Sequence, residues 1–144
     1  MKRFLRGIAF AGLLVTGIGM AGEVAEKPRR TENRIVIQVT EGDARKWNAV
    51  LGNIRNIQAE LGPQGAAITL VAIGEGLHML TDESLAANGV KDALNDKVRF
   101  IACGNSMKAQ GVTRDELIAG VTVAQAGYVE IMRMQQEGWI YLRP

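Results

Sequence analysis

Five short apolar runs recur along this chain, and the stretches between them carry helical spacing. The runs are Arg34-Ile-Val-Ile-Gln-Val-Thr40, Ala66 to Ile73, Val98 to Ala102, Val121 to Ala124 and Trp139 to Leu142. The first three are almost continuously apolar, the pattern of parallel strands buried on both faces. After the first run, Trp47, Val50, Leu51, Ile54, Ile57 and Leu61 form one stripe at helical spacing, with Arg45, Asn48, Arg55 and Glu60 off it. Asp43 is placed to cap that helix, and Gly62-Pro63 to end it. Strands alternating with helices through short connections predict a parallel sheet covered by helices on both faces. At 144 residues the chain has room for one such domain and too little for two.

The remaining helices are shorter. A helical piece is expected around Leu77 to Leu80, and another from Ser84 to Asn88 closed by Gly89, with Val90 to Asp96 continuing after a break. A helix through Lys108 and Gln110 follows Cys103 and ends at Gly111, with Asn105 or Ser106 as its cap. Thr113 and Glu116 have the spacing of a capping box. A last helix from about Tyr128 to Gln136 ends at Gly138.

The N-terminus is set apart from this pattern. Lys2, Arg3 and Arg6 precede an uncharged, largely apolar stretch from Gly7 to Met20, and Gly19-Met20-Ala21 places small residues where a signal peptidase reads. That is the secretory arrangement, and the run is shorter than the ~20 residues of a membrane-spanning helix. The expectation is a signal peptide over 1–21, a flexible leader over 22–33, a folded domain over 34–144, and a periplasmic location after cleavage near Ala21. No cysteine lies near the cleavage point, which argues against a lipid-anchored form. The formal charge of +2 belongs to the signal. Residues 1–21 hold three of the 17 basic residues and none of the 15 acidic ones, so the remainder carries a net charge of −1. With 5% aromatic residues as well, neither a nucleic-acid surface nor attachment to an anionic membrane is expected.

One cysteine and one histidine, Cys103 and His78, do not make a structural zinc site, and no metal or cofactor is implied. In an open parallel sheet, ligands bind outside the carboxyl ends of the strands. Four such exits carry unusual residues: Glu41-Gly42-Asp43, Gly74-Glu75-Gly76, Cys103-Gly104-Asn105-Ser106 and Gln125-Ala126-Gly127. Parallel topology puts all four on one edge. Cys103 ends a strand and precedes a helix, where amide groups lower a thiol's pKa. A buried, inert cysteine fits the same position. Gly74-Glu75-Gly76 lets a ligand approach the backbone, or is simply a tight turn. It lacks the third glycine of a dinucleotide fingerprint and follows the second strand, not the first. His78 is either a partly exposed helix residue or a proton shuttle for Cys103. Asp43 reads first as a cap, Trp47 as core, and Met132 and Met134 as packing. Trp139 and Tyr141 would cover a sheet edge or a subunit interface.

Read together, these segments resemble the DsrE/DsrF-like family, which includes YchN-type proteins. The resemblance rests on Ile35-Val-Ile-Gln-Val, Lys46-Trp-Asn-Ala-Val-Leu, Val71-Ala-Ile-Gly-Glu-Gly-Leu, Phe100-Ile-Ala-Cys-Gly-Asn-Ser-Met and Gln136-Glu-Gly-Trp-Ile-Tyr-Leu-Arg-Pro144. It implies a three-layer α/β/α domain with a five-stranded, mainly parallel sheet, and a homo-oligomer, trimeric or hexameric. It also implies a cysteine that accepts sulfane sulfur as a persulfide and passes it on. Here that cysteine is Cys103, with Gly74, Glu75, Gly76, Gly104, Asn105 and Ser106 as its neighbours, His78 and Asp43 as auxiliary groups, and a protein partner as sulfur donor or acceptor. Two other functions remain open: a non-catalytic oligomeric module that binds a small ligand or partner, with Cys103 structural, and a hydrolase that uses Cys103 with His78.

Overall fold

The computed structural model describes residues 33–62 and 65–144. The expected signal peptide, the leader up to residue 32, and Pro63 lie outside the described residues. The strands are β1 (Asn33–Val39), β2 (Ala66–Ala72), β3 (Arg99–Cys103), β4 (Thr122–Ala124) and β5 (Ile140–Leu142). They form one sheet in the order β4-β3-β2-β1-β5, and each neighbouring pair is parallel. The helices are α1 (Ala44–Leu61), α2 (Ala87–Asn95), α3 (Gly104–Gln110) and α4 (Gly127–Gln136), with 3-10 segments at Gly74–Leu80 and Arg114–Glu116.

This strand order decides which face each helix covers. From β1 to β4 the chain steps across the sheet in one direction, and right-handed crossovers then keep their helices on one face. The return from β4 to β5, beyond β1, runs the other way and lays α4 on the opposite face. Two apolar clusters follow from the alternation of side chains along each strand. Ile35, Ile37, Val39, Ile68, Leu70, Ala72, Phe100 and Ala102 point to α1 and α2, where they meet Trp47, Val50, Leu51, Ile54 and Val90. Val36, Val71, Ile73, Ile101 and Cys103 point to α4, where they meet Ile131 and Met134. Each large side chain so buried contributes roughly 1.5–3 kcal/mol, which makes the α1 side the main source of stability.

Helix α1 forms as its stripe predicts. The Asp43 carboxylate accepts the Arg45 N–H at 2.9 Å, and the chain leaves the helix at Gly62 with φ of 77°. The stripe fades at its end, where Ile57 is half-buried and Leu61 is 43% exposed. Around the next helix the structure corrects the sequence. Gly89 does not close a helix over 84–88 but sits inside α2. A Cβ there would lie 2.8 Å from Leu51 Cδ1, so this glycine lets α2 approach α1.

On the α4 face, Met134 is buried as expected, but Met132 is 49% exposed. Trp139 precedes β5 instead of starting it, and its ring lies over the sheet. The Arg34 and Arg99 guanidinium carbons are 5.7 and 5.4 Å from its centroid. Tyr141 donates to the side-chain oxygen of buried Gln38 at 2.6 Å. These two aromatic residues therefore pack on the face of the sheet.

Candidate functional site

The carboxyl ends of β1 to β4 are joined to one another by hydrogen bonds. Gly76 N–H donates to the Thr40 carbonyl at 3.1 Å, linking the exits of β2 and β1. Gly74 N–H donates to Ser106 Oγ at 2.8 Å, linking β2 to α3. Asn105 N–H donates to the Gln125 carbonyl at 3.0 Å, and the Gln125 amide returns a bond to Asn105 Oδ1 at 2.9 Å. Gly127 N–H donates to Cys103 Sγ at 3.2 Å. The four exits thus form a single hydrogen-bonded edge, as parallel topology requires, and Cys103 and Ser106 are its buried side chains. The edge is also tied to the C-terminus: Arg143 donates to Thr40 Oγ1 at 3.2 Å and pairs with Glu41 at 3.5 Å. The Thr40 N–H holds the Glu41 carboxyl below its usual range.

Two helix starts converge on the sulfur. Cys103 is itself the N-cap residue of α3, and Gly127 is the first residue of α4. Sequence spacing had suggested Asn105 or Ser106 as that cap; the helix instead begins one residue after the cysteine, and both residues lie in its first turn. Burial is the largest single influence on the thiol and pushes its pKa up. It is outweighed by the nearby polar groups, the Ser106 hydroxyl first and then the N–H groups of Gly127, Ser106 and Asn105, of which Gly127 donates directly to the sulfur. Together they hold the Cys103 thiol below its ordinary value. The side chain is nevertheless only 4% exposed and packs among Ile73, Ile101 and Ile131. Chemically the site offers a desolvated sulfur that accepts a hydrogen bond from the Gly127 N–H at the start of a helix.

Close packing fixes this arrangement. A Cβ on Gly127 would stand 2.8 Å from Ile73 Cγ1 and 3.1 Å from Cys103 Cβ. One on Gly104 would stand 3.3 Å from the Gln125 backbone, and one on Gly76 only 2.4 Å from the Val39 carbonyl oxygen. Glycine at these positions lets the backbone reach the thiol and the neighbouring strand. Gly74, with φ of 58°, takes the left-handed conformation at the point where β2 gives way to its 3-10 segment.

Glu75 is exposed, and its side chain lies beside Gly42. His78 is exposed on the other side of the sheet, in a cleft of about 550 Å³ lined by Asp43, Trp47, Thr81, Glu83 and Leu85. Cys103 points instead to the α4 face, so the structure does not bring the Cys103–His78 pair together. Asp43 serves as the α1 cap. Gly127, read in the sequence only as part of the Gln125-Ala126-Gly127 exit, is the residue whose N–H meets the sulfur. Its only signal was a glycine just after a strand exit and at the start of a helix. Among the described residues, no group of three or more His, Cys, Asp and Glu side chains gathers to hold a metal. No described helix is long and apolar enough to cross a membrane.

Comparison with known proteins sets this site in context. The model of the DsrE/DsrF-like family matches residues 34–144. A solved protein of unknown function from Methanobacterium thermoautotrophicum, MTH1491, is 34% identical. The match covers 78% of this chain and all of that one, with a TM-score of 0.75. A conserved protein of unknown function from Bacteroides thetaiotaomicron, BT1422, shares the fold at 14% identity, covering 82% of this chain and all of its own, with a TM-score of 0.66. The ychN protein of E. coli shares it at 13% identity, covering 78% and 98%, with a TM-score of 0.61. No curated protein matches the chain.

Proposed function

The chain belongs to the DsrE/DsrF-like family, and from that membership we propose that it is a sulfur carrier, with Cys103 accepting a sulfane sulfur and handing it on. The observation that carries the reading is the Gly127 N–H placed 3.2 Å from the Cys103 sulfur, at the meeting of two helix starts. In the loading step the thiolate attacks the outer sulfur of a donor persulfide. The new bond joins Sγ to that sulfur, the donor's S–S bond breaks, and the donor leaves as a thiolate with the bonding pair. Cys103 then holds a persulfide, and an acceptor thiolate reverses the step at its terminal sulfur. No oxidant is consumed, because the sulfur moves as a neutral atom between thiolates. We further propose an exported, periplasmic protein that works as a homo-oligomer, trimeric or hexameric, with a protein partner on one side of the relay. Tyr128, Val129, Met132, Ile140 and Leu142 are exposed on α4 and β5 and supply apolar surface for association.

The experiment is to treat purified protein with a polysulfide and read the intact mass. The expected result is one added sulfur atom on the wild type, removed by a reducing thiol and absent in Cys103→Ser. An unchanged wild-type mass, or the same adduct on the serine variant, refutes the proposal. A second reading, a binding module with a structural cysteine, draws on the near-complete burial of Cys103 in an apolar cluster. A thiol that alkylates slowly and only at high pH favours it.

A further inference from the structure

We propose that the cleft between α4 and β5 binds an uncharged small molecule bearing an amide or carbonyl group, held by the Gln38 amide and the Tyr128 hydroxyl. The cleft measures about 510 Å³, a size typical of small-ligand sites. Its lining is three glutamines, two tyrosines, Ile131 and Met132, and none of these is charged at neutral pH. Ile131 also belongs to the apolar cluster around Cys103. The cleft therefore lies on the Cys103 face of the sheet, but the thiol is not part of its lining.

Gln38 carries the argument. It is 5% exposed near the end of β1, in one row with the apolar Val71 and Ile101 of the next two strands. A buried amide costs stability unless its hydrogen bonds are made, and an aliphatic side chain would fill the position without that cost. The bonds of this amide are incomplete. Its oxygen accepts the Tyr141 hydroxyl at 2.6 Å, and one of its two N–H groups reaches Tyr128 Oη at 3.4 Å, a long contact. No described residue accepts the second N–H, and none accepts the Tyr128 hydroxyl proton. Two unspent donors thus line one cleft, with their heavy atoms 3.4 Å apart, close enough to meet on a single acceptor oxygen. Ile131, Met132 and the Tyr128 ring supply apolar surface for the rest of the molecule. A charged ligand would lose hydration here without gaining an opposite charge.

Benzamide and benzoate, alike in shape and different in charge, are the probes. Their affinities are read by ligand-observed NMR titration of the full-length protein in its native assembly. Benzamide is expected to bind with a dissociation constant on the order of millimolar, as suits so small a molecule, and benzoate about tenfold more weakly. Tyr128→Phe removes one donor at a residue that is 60% exposed, so the variant keeps its fold. It is expected to weaken benzamide binding about three- to tenfold. Gln38→Leu is expected to do the same while leaving the urea midpoint nearly unchanged; if it fails to fold, Tyr128→Phe decides alone. The proposal is overturned if benzamide does not bind, binds no better than benzoate, or binds the folded variants as tightly as the wild type. Tyr128 and Met132 also lie on the surface available for association, so a cleft covered in the assembly reads as no binding. Neither probe reacts with Cys103, and sulfur loading is decided separately.

Discussion

Gly127→Ala is expected to slow alkylation of Cys103 at neutral pH by about tenfold and to cost about 1–3 kcal/mol of stability. The added Cβ would stand 2.8 Å from Ile73 Cγ1 and 3.1 Å from Cys103 Cβ, both in the interior of the α4 face. Relief requires the start of α4 to move off the sheet. That movement lengthens the 3.2 Å contact between the Gly127 N–H and the sulfur and withdraws the helix terminus from the thiolate. The two effects are separable by measurement. Urea unfolding reads the packing cost as a lower midpoint at unchanged slope. The alkylation pH profile reads the lost donor as a higher thiol pKa. A variant that is destabilised but keeps the wild-type pH profile would show that the Gly127 N–H does not support the thiolate.

A larger effect on stability is expected at Gly76. Its Cβ would fall 2.4 Å from the Val39 carbonyl oxygen and 2.7 Å from the Val39 carbonyl carbon. These are backbone atoms at the end of β1, a strand paired on both sides, and no rotamer change moves them. The Gly76 N–H also donates to the Thr40 carbonyl, so a shift that relieves the clash breaks the link between two strand exits. Gly76→Ala is expected to cost about 3 kcal/mol or more, the upper end for overpacking. Gly42→Ala is the control. Its new Cβ meets the Glu75 Cβ at 3.1 Å on an exposed loop, which can give way. Denaturant midpoints for the two variants that fall equally would show that Gly76 is not the tight contact between these strands.

The parts of this fold that were legible in the sequence are those set by burial. Strands β1, β2 and β3 are covered on both faces, so they read as apolar runs with few polar breaks, and helix α1 shows its core stripe and its Asp43 cap directly. The convergence of four loops on one edge followed from parallel order alone. Other features depend on three-dimensional proximity that spacing does not encode. Gly89 has the appearance of a helix stop, yet its role is to make room for Leu51, 38 residues away. The Gly74–Ser106 and Gly127–Cys103 bonds span 32 and 24 residues. They exist because β3 lies between β2 and β4, an order that local pattern does not supply. Sequence order puts His78 and Cys103 at exits of the same sheet edge, but the two side chains lie on opposite faces of the sheet. Edge and face are different coordinates, and the sequence resolved only the first.

The central claim is that hydrogen bonds around the Cys103 sulfur prevail over its burial and keep it reactive. The most direct measurement is the pH dependence of Cys103 alkylation in the unmodified protein. Because Cys103 is the only cysteine, the signal needs no deconvolution. The thiolate is the reacting form, so the rate rises with pH through the thiol's pKa and then levels off. The account predicts a midpoint below that of an unperturbed thiol, with substantial reaction already at neutral pH. A midpoint at or above the ordinary thiol value would show that burial prevails, and would contradict the account of Cys103 as a sulfur acceptor.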